Sequence, residues 1–229
     1  MGKYRITFLD EDDWPIDYGE ASVSLERHAF PLGVPLRTHR MSRDDELWYL
    51  DTAARHFWAG SIEEQLLWSA YEPQPNHIND SRRSVQELLA WAEANRWEHL
   101  AASLFDSGRL PSAHWPNQLA CKDLQNRLHE RLLRDLQQFS GRIERYEVWR
   151  GALASPEWTE RCGEDLLFNA FRWARQADAR ATLCSSEAGV LNTLTLTRAE
   201  AYHNRVAHLA AKDVPVGALG VQARFDGAV

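Results

Sequence analysis

The chain has 229 residues, 44% hydrophobic and 26% charged, which is enough for one large soluble domain or two small ones. A net charge of −7 without a basic run excludes the electrostatic footprint expected for nucleic acid or an anionic membrane surface. No apolar stretch is long enough to span a membrane, and the opening MGKYRITFLDEDDW lacks an apolar signal-peptide segment, so the reading is either an intracellular protein or a displaced start.

In chain order, Lys3 to Leu9 and Ala21 to Leu25 alternate like strands across a turn-rich DEDDWPIDY. They predict a small N-terminal β-element over 1–28, ahead of a larger unit over 29–229. Arg43 to Phe57 reads as a helix with Leu47, Leu50, Ala54 and Phe57 on one face. Ser61 to Trp68 reads as a strand and Tyr71 to Asp80 as a loop with Pro73 and Pro75. A helix capped by Ser81 or Ser84 runs to Asn95 and buries Val85, Leu88, Leu89 and Ala92. His99 to Phe105 is a strand, and Ser107 to Asn117 a loop. Lys122 to Phe139 is a helix with Leu124, Leu128, Leu132 and Leu136 four residues apart. Ile143 to Leu153, IERYEVWRGAL, is a strand rich in β-formers that runs into a polar loop. A helix over Asp165 to Ala177, a strand over Ala181 to Ser185, a helix over Arg198 to Lys212 and a strand over Ala218 to Phe225 follow.

Steady strand-helix alternation implies parallel strands joined by crossover helices. The fold class expected is α/β, a (β/α)₈ barrel-like architecture with about six β/α units present. A closed barrel has eight, so about two units are expected to be absent.

Cys121, Cys162 and Cys184 are widely spaced without a CxxC, which argues against a zinc site and against a disulfide framework. His56, His77, His129, His203 and His208 show no metal spacing, and no nucleotide-binding glycine loop occurs, so no cofactor or metal is expected. Ten Trp is a high count; most are expected in the core, with a flat apolar face available for sugar rings where one is exposed. Arg142, Arg145 and Arg150 interleave with Glu144 and Glu147 and read as a solvated, paired surface.

An ordered series of short motifs resembles the xylanases of glycoside hydrolase family 10. Phe30-Pro31-Leu32-Gly33 resembles the family's F-x-x-G, and Glu63 to Trp68 followed by Glu72-Pro73-Gln74 resembles E-N-x-x-K-W and its E-P stretch. His99 resembles the His of G-H-x-x-x-W. Tyr146 to Gly151 with Ala152-Leu153 resembles W-D-V-x-N-E followed by A-L. Ala174 to Asp178 with Ala181 to Leu183 resembles A-R-x-A-D-P-x-A-x-L, and Gly217 to Phe225 resembles G-I-G-L-Q-x-H with its approach. The resemblance implies a (β/α)₈ barrel that cleaves internal β-1,4 xylan bonds with retention, using two carboxyl groups ~5–5.5 Å apart. Family members are usually extracellular.

Two departures bear on activity. The family's acid/base Glu on strand four falls at Gly151 here, and the Asn before it at Arg150. The family's T-E-x-D nucleophile on strand seven has no counterpart in these residues. The reading is therefore a family member or fragment that is inactive as this chain. The alternative is a non-catalytic barrel with a glycan-binding or structural role. The substrate-facing set that the resemblance implies keeps Glu63, His99 and Gln222. Arg224 stands where the family has His, Ser186-Glu187 stand where it has N-D, and Trp115 is a sugar-stacking candidate in the loop after strand three. Glu187 is the one new carboxylate expected near the mouth, Glu147 is expected to turn away from Gly151's side, and Arg150 with Arg224 raises the option of an anionic-ligand site. The partner implied is a weakly held β-1,4-linked xylan or related oligosaccharide, with no nucleic acid and no membrane. Self-association through open sheet edges is a further expectation.

Overall fold

The computed structural model describes residues 5–17, 19–24, 29–38, 41–78, 81–106, 114–154, 156–191 and 197–223. It divides into two compact units, Met1–Phe30 and Pro31–Val229. In the first, the described parts of the two expected strands form no strand, and an antiparallel bridge pairs Leu9 with Pro15, closed by Ile16 N–H donating to the Phe8 carbonyl (3.0 Å); Lys3, Tyr4 and Leu25 lie outside the described residues. Ile6, Leu9 and Val23 are exposed, so the alternation there buries no apolar face at these positions.

The second unit holds six strands, β1 (Gly33–Pro35), β2 (Ala59–Ile62), β3 (His99–Asp106), β4 (Arg145–Arg150), β5 (Thr182–Glu187) and β6 (Ala218–Val221). All neighbours are parallel and lie in sequence order, β1-β2-β3-β4-β5-β6, in a curled half-barrel. The helices are α1 (Arg43–His56), α2 (Trp68–Tyr71), α3 (Ser81–Ala94), α4 (Cys121–Phe139), α5 (Glu157–Cys162), α6 (Asp165–Ala177) and α7 (Thr197–Ala211). None of the described helices is long and apolar enough to cross a membrane.

The two faces of the sheet differ in chemistry. Leu100, Ala102, Tyr146, Val148 and Leu183 point to the helix layer and are buried against residues such as Leu128, Leu132, Leu136 and Phe171. The opposite face carries Ala59, Ser61, Ala101, Ser103, Arg145, Glu147 and Cys184, which the register sets side by side. Barrel interiors are ordinarily filled by bulky branched residues; this inner wall is lined by small, polar and charged ones. A cavity of about 410 Å³ opens along it between Pro31, Val34, Ser61, His99 and Arg145.

α4 and α6 match the leucine and apolar spacing of the sequence closely. Other elements differ. In α1, Leu47 is exposed and Leu50 and Ala53 are the buried positions, with Trp48 facing out at 69%. The expected strand Ser61 to Trp68 stops at Ile62. Leu66, Leu67 and Trp68 are all buried, which a strand covered on one face cannot achieve, and the chain turns into α2 instead. α5 was not expected. Cys121 and Cys162 form a disulfide across 41 residues, with Cα atoms 5.3 Å apart. This corrects the reading against disulfides, because wide spacing in sequence sets no lower limit on distance in space.

Candidate functional site at the carboxyl ends of the strands

The site is built where β2, β3, β4 and β5 end, the end that carries the chemistry in parallel barrels. Strand β4 has a register irregularity between Glu147 and Trp149. Strict alternation would put Arg150 on the face opposite Glu147; one extra residue puts it on the same face. Both side chains therefore enter the inner wall, and neither the solvated-surface reading of Arg150 nor the expectation that Glu147 turns away holds.

Arg150 is the hub. Its Nε donates to Glu147 Oε2 at 2.8 Å, its Nη2 to Ser103 Oγ at 2.8 Å, and its Nη1 lies 3.6 Å from Asp106 Oδ2. Ser103 and Ser186 donate to the two oxygens of Glu147 from the flanking strands. Burial works against the guanidinium's charge, but the Glu147, Glu63 and Asp106 carboxylates more than offset it and raise its pKa. Arg150 is thus already paired with carboxylates, and Arg224, the other half of the anionic-ligand option, lies outside the described residues.

Glu63 sits one residue beyond β2. Arg37 donates to its Oε2 at 3.1 Å and Ser61 to its Oε1 at 3.0 Å. Burial would raise its pKa, yet the Arg37 hydrogen bond, Arg150 and Ser61 together hold it below the usual carboxylate value. Gly151 follows Arg150 with φ +73°, and its N–H donates to the Ser186 carbonyl at 2.9 Å.

The other sequence-derived candidates separate from this cluster. His99 is the first residue of β3, at the amino end, and its Nδ1 faces Glu144 Oε2 at 2.7 Å. Seven strand steps, roughly 23 Å, separate it from Asp106. Trp115 donates its Nε1–H to the Glu72 carbonyl (2.9 Å) and packs edge-on against Trp68 at 5.6 Å, so its ring is committed to packing. Glu187 faces the helix layer and is 1% exposed. Its Oε1 accepts from Leu153 N–H at 2.7 Å, while Oε2 is buried with no hydrogen-bond partner of good geometry among the described residues. Burial raises its pKa, only partly countered by Leu153, Arg198 and Arg205. Gln222 stands just past β6, its N–H bonded to the Glu187 carbonyl at 3.1 Å. Of the expected set, Glu63 couples to the Arg150 cluster, through the charge of Arg150.

Sequence reasoning missed Arg37, Ser103, Asp106 and Ser186 as members of the site. A signal existed: polar side chains in HLAASLFD and TLCSSE interrupt otherwise apolar strands. It also missed Arg131, 2% exposed on α4, which donates to the Leu104 (3.1 Å) and Leu66 carbonyls and lies over the Trp68 and Phe105 rings. Trp68, Phe105, Trp149 and Trp158 form a continuous edge-to-face and tilted chain behind the site, with centroids 5.6–5.8 Å apart. Among the described residues no group of three His, Cys, Asp or Glu could hold a metal ion.

Comparison with known proteins places this architecture. The profile of glycosyl hydrolase family 10 matches residues 25–228. Endo-1,4-beta-xylanase 1 of Arabidopsis thaliana is 24% identical over 215 residues, covering 93% of this chain and 22% of that protein. Endo-1,4-beta-xylanase B of Thermotoga neapolitana is 21% identical over 210 residues, covering 89% of this chain and 60% of that protein. A GH10 endoxylanase from a sugarcane soil metagenome superposes with TM-score 0.75 at 19% identity, over 87% of this chain and 60% of that one. Xylanase 10B of Thermotoga maritima gives TM-score 0.70 at 22% identity, over 84% and 59%. The chain spans between about a fifth and three fifths of the length of these relatives. With the family profile covering nearly all of the sequence and the parallel half-barrel matching its solved members, the chain belongs to glycosyl hydrolase family 10.

Proposed function

We propose that this chain is a glycan-facing part of a family 10 barrel that does not itself cleave the glycosidic bond. Its ligand is a β-1,4-linked xylan or xylo-oligosaccharide, held weakly at the carboxyl ends of the strands. The observation that carries the reading is Gly151. The resemblance puts the proton donor of retaining hydrolysis there, and glycine has no proton to give. Its φ of +73° is a backbone state that side chains with a Cβ adopt only at a cost of ~1–2 kcal/mol, so the site is shaped around glycine.

Among the described residues no neighbouring carboxyl group is placed for the role. A general acid must reach the leaving oxygen at about 2.6–3.2 Å. Glu147 is engaged by Ser103, Ser186 and Arg150, Asp106 faces Arg150, and Glu63 is held by Arg37 and Ser61. Burial raises the pKa of Glu187, but the residue is buried on the helix side. The reading is independent of what precedes or follows these 229 residues, because a nucleophile supplied elsewhere would still lack its partner acid here. For the ligand, support comes from relatives named as xylanases and from a structural neighbour, xylanase 10B of Thermotoga petrophila, solved with xylobiose.

The test is an NMR titration of the labelled chain with xylohexaose, with the oligosaccharide analysed afterwards by chromatography. Shifts at the Glu63 and Gln222 amides and the Arg150 Nε–H, half-saturating on the order of millimolar, with intact hexaose, are expected. Shorter products would overturn the non-cleaving half, and an unchanged spectrum at saturating sugar would overturn the binding half.

A further inference from the structure

We propose that the Cys121–Cys162 disulfide is a redox clip that fixes the segment following β4 against the segment following β3, and that its reduction loosens this rim locally while the barrel stays folded. The inference goes beyond the glycan-binding reading and does not depend on it.

Cys121 is the first residue of α4 and Cys162 the last of α5, so the bond joins the two connections that flank the strand ends at Asp106 and Arg150. Both cysteines are half-buried, within reach of a small thiol, whereas Cys184 is buried. α5 has six residues, far below the length at which a helix persists alone. Its other described ties to the β3 side run through Trp158 and Arg161. Trp158 Nε1–H donates to Asn117 Oδ1 (2.6 Å), Arg161 donates to the Asn117 carbonyl, and the Trp158 ring packs against Trp68 and Trp149 at 5.7 and 5.8 Å. The strands and the leucines of α4 and α6 share one core, which α5 joins through Trp158. The covalent bond and Trp158 together therefore hold a segment that is marginal by itself onto this core.

The chemistry balances with a dithiol reductant. Its thiolate attacks the Cys162 sulfur, the S–S bond breaks, and Cys121 leaves as thiolate at the α4 amino terminus, where free backbone N–H groups and the helix dipole favour negative charge. The second thiol of the reductant then displaces Cys162. The protein gains two electrons and two protons, and the reductant departs as a cyclic disulfide.

Hydrogen exchange measured by mass spectrometry, with and without dithiothreitol, tests this on the intact chain and on the Cys121→Ser/Cys162→Ser double variant. Reduction is expected to speed exchange at least tenfold in 157–163 and 115–121, with β3 and α6 unchanged. Trp emission should shift as Trp158 leaves its neighbours, and the double variant should match the reduced protein and ignore the reductant. Three results overturn the proposal: alkylation of Cys121 and Cys162 without reductant, exchange unaltered by reduction, or reduction that unfolds the whole chain. The dithiothreitol titration of the unsubstituted chain decides the matter even if the variant fails to fold.

Discussion

Replacing Arg150 by Met removes the hub of the strand-end cluster and leaves its partners behind. Its side chain is 14% exposed, and Glu147 and Asp106 beside it are 15% and 9% exposed. Deleting one member of a buried ion pair costs ~3–5 kcal/mol, because the other charge stays desolvated without compensation. The pairs here keep some access to the open inner wall, so the lower end applies, about 3 kcal/mol. For a chain of this length that lowers Tm by roughly 6–12 °C, at ~2–4 °C per kcal/mol. Replacing Glu147 as well should recover most of the loss, since a buried pair exchanged for apolar side chains is often near neutral. Urea melts of Arg150→Met, Glu147→Met and the double variant complete the cycle, with an expected coupling of ~2 kcal/mol. A loss below ~1 kcal/mol for Arg150→Met, or a double variant equal to the sum of the singles, would refute the view that these groups satisfy one another.

Further outcomes follow from burial and backbone geometry. The Glu187 carboxyl binds its proton more tightly folded than unfolded, so its contribution is intact below the unfolded value near ~4.3 and declines as pH rises through the interval above it. Glu187→Gln should match the parent near pH 4 and exceed it at pH 7 in urea midpoint; parallel pH profiles would contradict this. Gly151→Ala and Gly163→Ala, at φ +73° and +85°, should each cost ~1–2 kcal/mol in thermal melts, although open space surrounds Gly163. Neutral substitutions would mean the backbone relaxes there. Phe171→Ala on α6, fully buried, should cost ~3–5 kcal/mol, and a loss under ~1 would place it outside the core.

The sequence was most legible where one face is buried along a long element. Leu124, Leu128, Leu132 and Leu136 mark α4 because a helix between sheet and solvent needs that spacing, and all four are buried. The parallel order followed from alternation alone. What stayed hidden depends on contacts remote in sequence. The irregularity in β4 is set by its pairing with β5, and without it Arg150 reads as a surface residue. His99 reads as a site residue through the family's G-H-x-x-x-W, whereas its pairing with Glu144 at the amino end of β3 depends on a contact 45 residues away. The disulfide needed the spatial meeting of α4 and α5. α5 itself is short and lies in a stretch, EWTERC, without an apolar period. Gly151 was readable as a missing side chain, but its left-handed backbone was not.

The most direct measurement is the rate at which the purified chain releases shorter sugars from xylohexaose between pH 4 and 8. Its leaving group is an unactivated sugar hydroxyl that needs a proton donor, worth ~10²–10⁴-fold in rate. With glycine at 151 and the nearby carboxylates held by Arg150, Arg37 and serines, no cleavage above the buffer rate is predicted. Turnover that disappears in Glu147→Gln or Glu187→Gln would contradict the account, since it would identify a donor where none is free.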